Sequence, residues 1–233
     1  MNRRHATFFI PSLALLAAWP WRSAQALNLG GISPAEADGG LKAALDKACQ
    51  AAIDTLGKPG GFMGNAKVRI PLPGHLNDAG KLLRTLGQGK RVDELVAAMN
   101  QGAEQSVPLA RKLLAQSVQK MSVSDAKAIL GGGDTAVTQF FAKHTRTELG
   151  EAFLPIVTHA TEKVGLADKY NRVASKASGL GLVKPEEANV QKYVTAKALD
   201  GLYLMIGEEE KKIRRNPVAY GSELLSKVFG GGR

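Results

Sequence analysis

From Asn189 to Asn216 the chain reads NVQKYVTAKALDGLYLMIGEEEKKIRRN. Val194, Leu199, Leu202, Met205, Ile206 and Ile213 recur at the three- and four-residue spacing of one helix face, with no alternation that would suit a strand. Asn189 offers a side-chain oxygen to the first free N–H groups, and Pro217 after Asn216 stops the run. The stretch predicts the longest helix of the chain. Its charges suit that reading. Glu208 to Lys212 and Glu210 to Arg214 are i,i+4 pairs in the favourable order, and basic residues crowd the end where the helix dipole prefers them.

The same punctuation runs backwards from there. Ser33-Pro34-Ala35-Glu36 combines a cap, a first-turn proline and a capping-box Glu. Leu41, Leu45, Ala48, Ala52 and Leu56 follow, and Gly57-Lys58-Pro59-Gly60-Gly61 ends the pattern. Further helices are expected over 76–86, over 91–105, from Pro108, from a Ser124-Asp125 cap to Leu130, and from Asp134-Thr135. Another spans about 147–164, where Pro155 should kink or restart it, and the last holds Tyr220 to Phe229. Between the first two, Val68, Ile70 and Leu72 alternate with Arg69, Pro71 and Pro73. This predicts an extended arm or edge strand near residues 62–74 lying across a groove between helices. The reading is all-α: a single multi-helix, bundle-like domain over 27–233 with one extended arm.

The start of the chain predicts a destination. Basic Asn2-Arg3-Arg4-His5, an apolar stretch from Ala6 to about Trp19, and Ala24-x-Ala26 fit a signal peptide cleaved after residue 26. Pro11 and Pro20 interrupt the apolar stretch, which is short for a membrane span. The expected location is therefore periplasmic or secreted, and the processed chain is not expected to be an integral membrane protein. Cleavage removes both tryptophans and leaves a basic chain, the whole carrying a formal charge of +10. Export argues against nucleic acid as its partner. One cysteine, Cys49, excludes an internal disulfide framework and is expected to be a packed residue rather than a nucleophile.

The sequence holds few patterns that point to chemistry. His75, His144 and His159 form no metal-binding motif, so no metal and no cofactor is expected. Ser117-x-x-Lys120 and Ser124-x-x-Lys127 lack the companion motifs of serine–lysine enzymes. Gly131-Gly132-Gly133 before Asp134 and Thr135 resembles a phosphate loop without its lysine. Capping explains it better, with Gly131 closing one helix and Asp134 or Thr135 opening the next. Asp134, Thr135, Asp200 and Glu209 make the best candidate polar site, Glu209 being expected to be partly buried. Lys58, Lys67, Arg69, Lys81, Arg84, Lys90 and Arg91 make a basic surface with Asp78 as its one acid.

A resemblance adds to this. Leu56-Gly-Lys-Pro-Gly-Gly-Phe-Met-Gly-Asn65, Val68-Arg-Ile-Pro-Leu-Pro73, Ala128-Ile-Leu-Gly-Gly-Gly-Asp-Thr-Ala136 and Lys197 to Arg214, with Asn216-Pro217 and Val228-Phe-Gly230, resemble a bacterial family of exported helical proteins classed as a domain of unknown function. The resemblance implies an exported all-helical domain and supplies no activity. Some members resemble lipoproteins, whereas this chain has Ala26-Leu27 where those carry a cysteine. The expected role is binding or scaffolding. A groove covered by the arm and rimmed by the basic residues would hold an amphipathic anion, such as an anionic lipid, or an envelope protein. The alternatives are an envelope hydrolase or metal-dependent enzyme using the carboxylates, and an oligomeric structural component.

Overall fold

The computed structural model describes residues 34–216, so the expected signal peptide, the Ser33 cap and the helix from Tyr220 lie outside the described residues. Eight α-helices occupy that span: α1 (Pro34–Leu56), α2 (Asn77–Thr85), α3 (Gly89–Ser106), α4 (Ala110–Gln119), α5 (Val123–Gly131), α6 (Ala136–Glu162), α7 (Gly165–Gly179) and α8 (Val190–Arg215). Single 3-10 turns at Gly74–Leu76, Val107–Leu109 and Pro185–Glu187 join some of them. No strand occurs among the described residues, and the all-α expectation holds.

α8 forms where its pattern placed it. Asn189 caps it by accepting from the Lys192 N–H at 3.0 Å, and Val194, Leu199, Leu202, Met205, Ile206 and Ile213 are all buried. It packs chiefly on α6 and α1, while α3 closes against α6. Buried residues from Leu41 of α1 to Ile213 of α8 form one continuous apolar cluster. Burying such side chains contributes about 1.5–3 kcal/mol each, and this drives the helices together.

Several local expectations are corrected. The segment from 62 is not extended throughout: residues 57–68 are mostly turns, and only 69–73 run without regular structure. Its closely spaced glycines favour turning; Gly60 sits at φ +78°, open to glycine at no steric cost. The cap of α5 is Ser122, not Ser124. Its hydroxyl accepts from the Asp125 N–H at 3.1 Å while the Asp125 carboxylate accepts from the Ser122 N–H, a complete capping box. The helices expected at 134 and 147 are one, and at 27 residues α6 exceeds the 26 of α8. Pro155 lies inside α6 on its exposed side, where packing on α3 and α8 holds the helix through the missing N–H. α7 was not expected at all.

Candidate functional site

The turns after α1 are held by two buried polar side chains of α3. The Glu104 carboxylate accepts three backbone N–H groups: Phe62 (3.0 Å) and Met63 (3.1 Å) on Oε1, and Gly60 (3.1 Å) on Oε2. One turn earlier, Asn100 accepts from the Ile70 N–H at 2.9 Å and donates to the Ile70 carbonyl at 2.9 Å, as a neighbouring strand would. Tyr193 of α8 donates to the Pro71 carbonyl at 3.2 Å. Pinned this way, Phe62, Val68 and Ile70 enter the core, with Phe62 fully buried. They reach α8 at Gly201, where a Cβ would stand 2.9 Å from the Phe62 ring and 3.2 Å from Val68 Cβ. The groove expected beneath the arm is therefore filled by the arm itself. Sequence reading missed Glu104 and Asn100. Their signal was position, since Val96, Asn100 and Ala103 lie on one buried stripe of α3.

The candidate carboxylates do not converge. Asp200 and Glu209 stand nine residues apart on α8, which puts them on opposite faces and about 13 Å apart along the axis. Asp200 pairs with Arg146 at 2.6 Å, Glu209 with Lys212 at 2.6 Å, and the exposed Asp134 with Lys211 at 3.0 Å. Glu209 is buried, as expected, but its partner comes from its own helix at three-residue spacing. Thr135 occupies the cap position of α6 without a side-chain capping bond and accepts from Gln139 instead. Gly131 ends α5, while Gly132 is extended. A Cβ on Gly132 would sit 2.5 Å from both the Ala128 carbonyl and Ala136, so close backbone approach explains Gly132, while Gly131 and Gly133 face open space. Glu208 faces Lys67 at 2.7 Å and Lys211 at 3.5 Å, rather than Lys212. The chain Lys67–Glu208–Lys211–Asp134 thus ties the arm, α8 and the α5–α6 loop together. The Lys67 hydrogen bond holds the Glu208 carboxyl below the usual range.

The remaining candidates are quiet. Burial and the Asp46 charge push the Cys49 thiol well above its ordinary value, which makes it a poor nucleophile. His144 lies 3.9 Å from Asp125 and against the Phe140 ring, in a small cleft of about 230 Å³ that Ser117 also lines. Among the described residues no three His, Cys, Asp or Glu groups come together to hold a metal ion.

Two open clefts flank the N-terminal half of α3. Beside the arm, about 320 Å³ is lined by Leu72, Val92 and Val96 below Arg69, Lys81 and Arg84. Asp93 neutralises Arg84, with a 3.2 Å bond from Nη1 among its contacts. On the other side of α3, a cleft of about 630 Å³ opens towards α6 and α7. Ala98, Ala160, Val164 and Leu166, all buried or half-buried, form its floor, and exposed Arg91, Lys163 and Lys169 stand around it with Glu94. Of the expected basic surface, Arg91 lines this cleft, Arg69, Lys81 and Arg84 line the smaller one, and Lys58, Lys67 and Lys90 line neither.

A family described as "Protein of unknown function (DUF4197)" matches residues 31–230. The chain belongs to this family. No curated protein and no solved structure matches it. DUF4197 membership agrees with the resemblance read from the motifs. The glycine-rich turns held by Glu104, the Asp134 loop and α8 all lie within the matched span.

Proposed function

We propose that this DUF4197 chain is a binding protein of the bacterial envelope that holds an amphipathic anion in the α3–α6–α7 cleft. The observation that carries the reading is the cleft itself. Its volume of about 630 Å³ falls within the range of small-molecule sites, and its apolar floor lies under three cations opposed by one acid. Among the described residues Arg91, Lys163 and Lys169 make no ion pair, so their charge is available to a ligand. The smaller cleft has the same chemistry, but Asp93 already occupies one of its cations. The location rests on the signal-like start of the sequence. The enzyme reading lacks support, because Asp200, Asp134 and Glu209 are each matched to a lysine or arginine rather than to one another.

Calorimetric titration with decyl phosphate, kept monomeric, tests this. Saturable 1:1 binding that weakens about tenfold in an Arg91→Glu/Lys163→Glu variant is the expected result. Absence of saturable binding, or equal binding by that variant, would refute it.

A further inference from the structure

The C-terminal end of α7 carries a feature that the cleft does not use. Leu180 and Leu182 are 76% and 75% exposed, and Val173, two turns back on the same helix face as Leu180, is 67% exposed. Between Arg172 and Lys184 the chain holds three basic residues (Arg172, Lys176 and Lys184) and no acidic one, the next acids being Glu186 and Glu187. All three are exposed, and none makes an ion pair among the described residues.

The turn that presents the leucines is ordered by its own backbone. Gly181 sits at φ +73° and donates to the Ser178 carbonyl at 2.9 Å, while Leu182 donates to Ala177 at 2.9 Å. This is the paired bonding of a Schellman turn, in which the last residue ordinarily folds its apolar side chain back onto the helix. Leu182 instead projects outward. The Leu180 N–H is also satisfied, by Ala177 at 3.2 Å, so three consecutive N–H groups need no water. A turn of this kind can enter a headgroup layer without stranding its donors.

We infer that the α7 turn, Lys176 to Lys184, docks on the surface of an anionic bilayer, with Leu180 and Leu182 entering the interface and the flanking cations meeting lipid phosphates. The pattern of apolar tips ringed by lysine and arginine is what such a surface selects. A protein partner fits less well, since three apolar side chains fall far short of the roughly 20–30 residues a side of a stable protein interface. No helix among the described residues is long and apolar enough to cross a membrane, so the contact is peripheral. The inference is independent of what fills the cleft.

Co-sedimentation of the purified chain with phosphatidylglycerol-containing vesicles, against pure phosphatidylcholine vesicles, tests it. The chain is expected to bind the anionic vesicles, less so at high salt, and the neutral ones weakly. A Leu180→Asp/Leu182→Asp variant with unchanged far-ultraviolet dichroism is expected to lose about tenfold or more in partitioning. Lys176→Glu/Lys184→Glu is expected to lose the salt-sensitive part. The inference is overturned if the chain ignores anionic vesicles, if it binds both kinds equally, or if the leucine variant sediments as the parent does. It is equally overturned if the leucine variant changes only the oligomeric state.

Discussion

Replacing Glu104 with alanine removes one carboxylate and strands three backbone donors at once. Those donors differ in what happens next. The Gly60 and Met63 N–H groups are only partly buried and can regain water, whereas the Phe62 N–H is buried and cannot. With about 1 kcal/mol for each bond that water replaces and about 1–3 kcal/mol for the stranded one, Glu104→Ala is expected to cost about 3–5 kcal/mol. That is a large share of the roughly 5–15 kcal/mol that holds a domain folded. Glu104→Gln separates the contributions. Its one amide oxygen can keep the Phe62 and Met63 bonds that Oε1 makes, while its NH2 group faces the Gly60 N–H, so a smaller loss of about 1–2 kcal/mol is expected. Urea unfolding followed at 222 nm measures both, with amide exchange at Phe62 as the local readout. An alanine variant within about 1 kcal/mol of the parent, or a glutamine variant as damaged as alanine, would refute the account.

Gly201→Ala adds a methyl group 2.9 Å from the Phe62 ring. A loss of about 1–3 kcal/mol by urea unfolding is expected, partly recovered by adding Phe62→Leu, and an unchanged midpoint would show that the arm can yield. Tyrosine titration gives a pH test. Burial and the Glu187 charge push Tyr170 up to about 12, and burial raises Tyr193 and Tyr203. Raised values mean that the folded chain keeps protons the unfolded chain releases, so this stability is complete below about pH 10 and lost as pH rises towards the folded values. In a Tyr220→Phe variant, which leaves these three as the only tyrosines of the chain, absorbance at 295 nm should therefore appear late and together with unfolding; a reversible rise near pH 10 in that folded variant would contradict it.

Helices whose apolar face is made of large side chains were legible in the sequence, as α1, α3 and α8 show. α7 was not, because its buried face is Ala167, Tyr170 and Ala174, two of them too small to stand out from a lysine-rich background. The alternation of Val68, Ile70 and Leu72 pointed to an extended arm lying across the helices, and residues 69–73 run that way with Val68 and Ile70 buried around an exposed Arg69. What failed was extending that reading back to residue 62, into glycine-rich turns. The hold on those turns was hidden for a different reason. Glu104 and Asn100 bind backbone groups, which carry no residue identity, at separations of 30 to 44 residues. The charged run of α8 advertised chemistry in the sequence, yet Glu208, Glu209, Lys211 and Lys212 are spent on neighbours.

The pinned segment between α1 and α2 also sets an order of events. Its two buried polar anchors, Glu104 and Asn100, belong to α3, and Tyr193 of α8 adds a third hold at Pro71. The segment cannot be fixed before those helices exist, and distant closures of this kind come late. What settles last tends to lift first. Lifting it would uncover the pit that Phe62 fills, a sticky hollow in an otherwise finished fold. Misassembly of this protein should begin there, in chains that are nearly complete.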